Sequence, residues 1–294
     1  MEIKIYNRRE KKIEVEKVLG GKAISWLYGN NYGRFVEKGL AFSFISKIFG
    51  LLQEQGSSKK KIVQFIKDYS IKIDDFEEEE YQNFNQFFIR KYRPGIRDFV
   101  QTKNLMPAFC EARYFGYRRI FPDVKMPVKG IFLSAKALVD NEKWFNFFTD
   151  GPLMIARLCP VDYHRFHFPD DCKILDSYRI HGKFHSVNPV ALAANGKVFL
   201  ENERQVTILE SDNFGKLAFI EVGAMCVGKI VQTYAAGQAK FKRGAEKGYF
   251  LFGGSTVIIL GEKDRWIPAN DILENSEKGI EVLVPLGDVV ASQI

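Results

Sequence analysis

The sequence predicts an α+β protein in which a helical N-terminal region precedes a mainly antiparallel β domain. Three observations carry this expectation. Between about residues 18 and 66, apolar side chains recur at helical intervals. From about 104 onward, runs such as "GKVFLENERQVTILES", "KLAFIEVGAMCVGKIVQTY" and "YFLF…TVIIL" alternate or are continuously apolar, with Gly, Asn and Asp at their ends. At 294 residues, 46% hydrophobic and 27% charged, the chain can bury a sizeable core and reads as neither disordered nor repetitive.

Residues 2–6 and 12–16 flank "NRREK" and are expected to form a short β-hairpin. The opening "MEIKIYNRREKKIEVEK" has no apolar h-region, so no secretory signal is read there and the chain is expected inside the cell. The segment "LAFSFISKIFGLL", 40–52, gathers Leu40, Phe44, Ile48 and Leu51 with Ala41, Ile45, Phe49 and Leu52 on one side of a helix. It is too short to cross a bilayer as one helix. Followed by "GSSKKK" at 56–61, it suits either a helix packed on the protein's own core or one lying in a membrane interface with cationic flanks.

The net charge of +7 is concentrated at this end, where residues 1–61 hold thirteen Lys/Arg against six Asp/Glu. Such a basic end suits an anionic surface. The basic residues are not interleaved with aromatics on strands, and no nucleic-acid motif is present, so no nucleic-acid partner is expected. The acidic run "DDFEEEE", 74–80, reads as a solvated boundary. After it, "YQNFNQFFIRKYRPGIRDF" gives a short Phe-rich helix ending in a turn at Pro94-Gly95. Within the β domain, helices are expected near 134–139 and 189–194.

Cys110, Cys159, Cys172 and Cys226 lie far apart with no CxxC spacing, so reduced, mostly buried thiols are expected. Three clusters could carry chemistry. In "PVDYHRFHFP", His164 and His167 are three apart and belong to only four histidines in the chain. They suit proton transfer near neutral pH, a structural pair, or a metal site with Asp162. Glu111 sits in the apolar setting "FCEARYFGY", with Arg113 close by as a partner. Finally, Gly253-Gly254-Ser255-Thr256 separates two apolar runs, either as a plain hairpin turn or as a hydroxyl beside an unshielded glycine carbonyl.

Several segments together resemble the phosphatidylserine decarboxylase proenzymes, and they occur in that family's order over nearly the whole chain. They are "FNQFFIRKYRPGIR" (84–97), "DYHRFHFP" (162–169), "ENER" (201–204), "IEVGAMCVGKIVQTY" (220–234), "EKGYFLFGGSTVIIL" (246–260) and "NSEKGIEVLVPLGD" (275–288). The resemblance implies self-cleavage at Gly254–Ser255 into a β chain, 1–254, and an α chain, 255–294. Ser255 would become a covalent pyruvoyl cofactor that forms a Schiff base with the substrate amine, with no PLP or metal. His167 would be the base for Ser255, Glu111 the carboxylate orienting His167, and His164 a contact for the substrate's carboxylate or phosphate.

Where family members carry an Asp-Gly pair, this chain has Glu111-Ala112. The same resemblance implies phosphatidylserine as substrate, phosphatidylethanolamine and CO2 as products, and an anionic phospholipid membrane as partner on its cytoplasmic face. Residues 1–100 would then be a membrane-associating region and 101–294 the catalytic domain. The two chains would remain together as a heterodimer, which could pair further as a homodimer. Two alternatives carry other expectations: a pyruvoyl-dependent decarboxylase of a soluble amino acid, and a non-processing lipid-binding homologue.

Overall fold

The computed structural model describes residues 2–16, 26–29, 32–33, 36, 52–120, 125–126, 131–224, 229–235, 237–252 and 255–294. The apolar segment 40–52, apart from Leu52, lies outside the described residues, as do Cys226, Gly253 and Gly254.

In chain order the strands are β1 (Lys4–Asn7), β2 (Lys12–Val15), β3 (Leu105–Pro107), β4 (Ala112–Tyr117), β5 (Lys125–Met126) and β6 (Ile131–Phe132). They continue as β7 (Leu153–Leu158), β8 (Arg165–His167), β9 (Cys172–Ile180), β10 (Arg204–Ser211), β11 (Gly215–Val222) and β12 (Ile230–Gln232). The last six are β13 (Lys240–Phe241), β14 (Glu246–Phe250), β15 (Ser255–Gly261), β16 (Trp266–Pro268), β17 (Glu281–Val284) and β18 (Val289–Gln293). Among the described residues from 60 onward, the α-helices are α1 (Lys60–Tyr69), α2 (Phe84–Phe88), α3 (Ala135–Val139), α4 (Glu142–Phe145), α5 (Pro189–Ala194), α6 (Val198–Glu201) and α7 (Asn270–Glu277). The chain is therefore α+β, with mostly antiparallel sheets and few helices, and the helices expected near 134–139 and 189–194 are present.

Among the described residues, ten strands make one sheet in the order β13-β9-β10-β11-β15-β7-β4-β17-β1-β2. Its centre reads as the sequence suggests. Every residue of β15, "STVIILG", and of β7, "LMIARL", is buried, as befits strands covered on both faces. The N-terminal hairpin forms with Lys4 opposite Val15, and it is built into this sheet because β1 runs parallel to β17, with Ile5 opposite Glu281. At the edge, β2 presents Lys12 and Glu14, charges of the kind that discourage further strand pairing.

A second layer positions the site. β8 and β12 flank β14 in a three-stranded sheet. Against this end packs α2, whose Asn83 side chain accepts from the Gln86 N–H at 3.0 Å as an N-cap. The helix buries Phe84, Phe87 and Phe88, and α1 adds Ile62 and Phe65 to the same cluster. No helix among the described residues is long and apolar enough to cross a membrane.

Candidate active site

Two short connections bring His164 and Ser255 to one end of the sheet. Residue 255 opens β15 opposite Leu158, the last residue of β7. Six residues later the chain reaches His164, whose carbonyl accepts from the Phe250 N–H at 3.0 Å, at the end of β14. Thus β7 leads into His164 and β14 leads back to Ser255. Ser255 is fully buried, and its hydroxyl has no hydrogen-bond partner among the described residues. An orphaned buried hydroxyl is unfavourable unless something uses it.

His167 closes β8 and His164 lies one residue before that strand, an odd separation that along a strand would turn side chains to opposite faces. They accordingly meet different partners. His164 is fully buried, its Nδ1–H donates to the Asp162 carbonyl at 3.0 Å, and the Phe88 ring lies 3.8 Å away, centre to centre. Its Nε2 has no partner among the described residues. Burial, with Arg90 and Arg113 adding positive charge nearby, lowers its pKa to about 3.

His167 donates from Nδ1 to the Gly244 carbonyl at 2.9 Å, and its Nε2 accepts from the Tyr163 hydroxyl at 3.3 Å. Burial lowers its pKa to about 4. A ring that donates from Nδ1 to a carbonyl while neutral keeps its lone pair on Nε2. Both imidazoles are therefore arranged as neutral proton acceptors.

Glu111 is placed elsewhere. Its carboxylate takes both arms of Arg97, at 2.7 and 3.2 Å, and the Leu286 N–H at 3.3 Å. Arg97 lies over the Tyr92 ring, Tyr92 stacks on Tyr163 at 4.6 Å, and the Tyr163 hydroxyl meets His167. The structure does not bring Glu111 into hydrogen-bond contact with His167. Nor does Arg113 pair with Glu111; it pairs with Glu16 and Asp162. Tyr92, Arg97, Glu111, Arg113, Asp162 and Tyr163 line a cleft of about 510 Å³ on this side.

Asp162 is committed to Arg113 and, at 2.6 Å, to the Cys159 N–H. Among the described residues no group of His, Cys, Asp or Glu is arranged to hold a metal ion. Cys110, Cys159 and Cys172 are free thiols.

Behind the site lies a buried charge network that the sequence did not reveal. Arg157 bonds Glu281 through Nε at 2.8 Å and Glu16 through Nη2 at 2.9 Å, tying β7, β17 and the end of the hairpin together. The two arginines hold the Glu16 carboxyl down at about 2 against the opposing effect of burial. Arg90 and Tyr163 were also missed as functional candidates, although both fall within the quoted motifs.

The sequence model of the phosphatidylserine decarboxylase family matches residues 84–284. The chain belongs to the phosphatidylserine decarboxylase family. Its curated relatives include the phosphatidylserine decarboxylase proenzyme of Clostridium novyi (strain NT), 38% identical over 99% of this chain and 100% of the relative. The proenzyme of Clostridium perfringens (strain ATCC 13124) is 39% identical over 99% of this chain and 100% of its own. That of Ruminiclostridium cellulolyticum is 37% identical over 99% and 98%. The matched residues take in β8, β14 and β15 and include His164, His167 and Ser255.

Proposed function

We propose that this chain is a proenzyme that cuts itself between Gly254 and Ser255 and then decarboxylates phosphatidylserine to phosphatidylethanolamine and CO2. The observation that carries the reading is the Ser255 hydroxyl, buried and unpartnered at the first position of β15 in a chain whose relatives are named proenzymes. Self-cleavage begins when Ser255 Oγ attacks the Gly254 carbonyl and gives its proton to a base. The Gly254–Ser255 C–N bond breaks, the freed amine takes up a proton, and an ester joins the two residues. Removal of the Ser255 Cα proton expels the Gly254 carboxylate, and water replaces nitrogen in the resulting dehydroalanine, releasing ammonia. The product is a pyruvoyl group at residue 255.

His167 is assigned as the base, since an alcohol is a weak nucleophile without one. Its neutral Nε2 accepts from the Tyr163 hydroxyl at 3.3 Å and keeps the lone pair that a base needs. Glu111 belongs to the same machinery but acts through Arg97, Tyr92 and Tyr163, stabilising positive charge on His167 at a distance rather than by direct hydrogen bonding.

The buried, enclosed position of Ser255 fits a small covalent carbonyl group, which supplies an electron sink for loss of CO2. His164 is assigned to the substrate's carboxylate or phosphate. An entering anion favours the protonated ring, whose Nε2–H then donates to it.

Residues 1–100 are proposed to meet the membrane from the cytoplasmic face. The exposed Lys59, Lys60 and Lys61 and the 76% exposed Val63 of α1 support this, because a lipid substrate is reached from the bilayer surface. The two cleaved chains stay together as a heterodimer, since β15 lies inside the large sheet between β11 and β7. The test is CO2 release from phosphatidylserine vesicles and, separately, from free serine. Release from vesicles alone, abolished by Ser255→Ala, is expected; release from free serine alone would transfer the reading to a soluble amino acid.

A further inference from the structure

Arg90 stands out among the buried groups that the mechanism above does not use. It follows α2, is 1% exposed, and has no carboxylate within ion-pair distance among the described residues. Its guanidinium donates to three backbone carbonyls: Phe87 at 3.3 Å, Val161 at 2.9 Å and Asp162 at 3.2 Å. The rings of Phe76 and Phe87 lie 4.5 and 4.7 Å from it, and its Nε has no partner among the described residues. Desolvating a cation without a counter-ion is costly, so a buried arginine spent on carbonyls alone calls for a reason.

The reason lies in the third carbonyl. The Asp162 oxygen that accepts from Arg90 also accepts from His164 Nδ1–H at 3.0 Å. Two residues before Arg90, Phe88 packs on the face of the same imidazole. The end of α2 therefore holds His164 twice, by a ring contact and through a shared carbonyl.

We propose that Arg90 is the positioning residue for His164, fixing the 161–162 turn so that the imidazole stays in its Nδ1–H form with Nε2 free for the substrate. Nη2 reaches Val161 and Asp162 while Nη1 reaches Phe87, so the planar fork ties the end of α2 to the 161–162 turn, which a single ammonium cannot do with the same geometry. Its charge also works on the ring. The charged groups acting on His164 are Arg90 and Arg113, both disfavouring a second positive charge, while the Asp162 carboxylate is turned to Arg113.

The inference rests on the proposed function for its catalytic consequence but not for its structural one, so two measurements separate them. In full-length protein carrying Ser255→Ala, histidine-ring nitrogen NMR reads the tautomer and titration of His164 without any turnover. Arg90→Met should give mixed tautomers and raise the titration above about 3, with burial still holding it below the ordinary histidine range. Arg90→Lys, the milder variant should Arg90→Met not fold, should lose the single tautomer while still titrating low.

In processed enzyme, Arg90→Lys should lower kcat/KM roughly tenfold, as a small misplacement of a group that contacts the substrate does, with the loss appearing in KM. Were Arg90 only a fastener for α2, these variants would lower thermal stability but leave the His164 tautomer and, in Arg90→Met, its titration as they were. That outcome overturns the proposal. Should the NMR behave as expected in a protein that releases no CO2, the functional reading fails and this one stands.

Discussion

Two buried neutral histidines make the site acid-labile, and the size of the effect follows from their surroundings. In the unfolded chain each imidazole returns to an ordinary pKa of 6.5, whereas in the folded chain His164 and His167 are held near 3 and 4. Below pH 6.5 the unfolded chain therefore binds more protons than the folded one, and stability falls as pH falls until the folded-state values are reached. At pH 5 each ring sits one and a half pH units below its unfolded value. At about 1.36 kcal/mol per unit, each opposes folding by about 2 kcal/mol, and the pair by about 4 kcal/mol.

Urea unfolding of the Ser255→Ala chain at pH 7 and pH 5 measures the total change with pH. Adding His164→Gln or His167→Gln should each reduce that change by about 2 kcal/mol, because the carboxylates common to all three proteins cancel in the comparison. The packing lost with the ring also cancels, since it is lost at both pH values. An unaltered pH dependence in either variant would show that its imidazole is not buried in neutral form.

The fully buried pair Lys247–Glu221, 2.5 Å apart, gives a second prediction. Burial pushes the Glu221 carboxyl up and the Lys247 ammonium down, so on both sides desolvation outweighs attraction. Lys247→Met should lower stability by about 3–5 kcal/mol by stranding Glu221, while the double variant with Glu221→Leu should recover most of it; equal losses in both would contradict this. Glu111→Gln, which breaks the ion pair with Arg97, should slow self-cleavage roughly tenfold to a hundredfold on a gel time course, and an unchanged rate would remove Glu111 from the machinery. The protein should sediment with anionic vesicles at low salt and be released as salt rises; equal binding to neutral vesicles would set aside the electrostatic part.

What the sequence disclosed follows from how local each signal is. β15 announces itself because a strand buried on both faces is a continuous apolar run, and α5 because Asn188 and Pro189 are a cap and a first-turn residue. Ser255 and the two histidines were legible as motifs. Their partners were not: Glu111 lies just before β4 and turns to Arg97 rather than to nearby Arg113, and the carbonyls that hold the imidazoles carry no side-chain signature. Non-local pairing was equally hidden. Nothing near residue 5 indicates that it will lie beside residue 281, and Glu16 gives no hint of meeting Arg113 and Arg157 in the interior.

The central claim is that Ser255 ceases to be a serine. Intact-mass analysis of the freshly purified protein tests it most directly. Two chains are expected, 1–254 and 255–294, the smaller with a blocked N-terminus that reacts with a carbonyl reagent, and a single uncut chain in Ser255→Ala. A full-length chain that persists with residue 255 unmodified, or a small chain beginning with an ordinary serine amine, would contradict it.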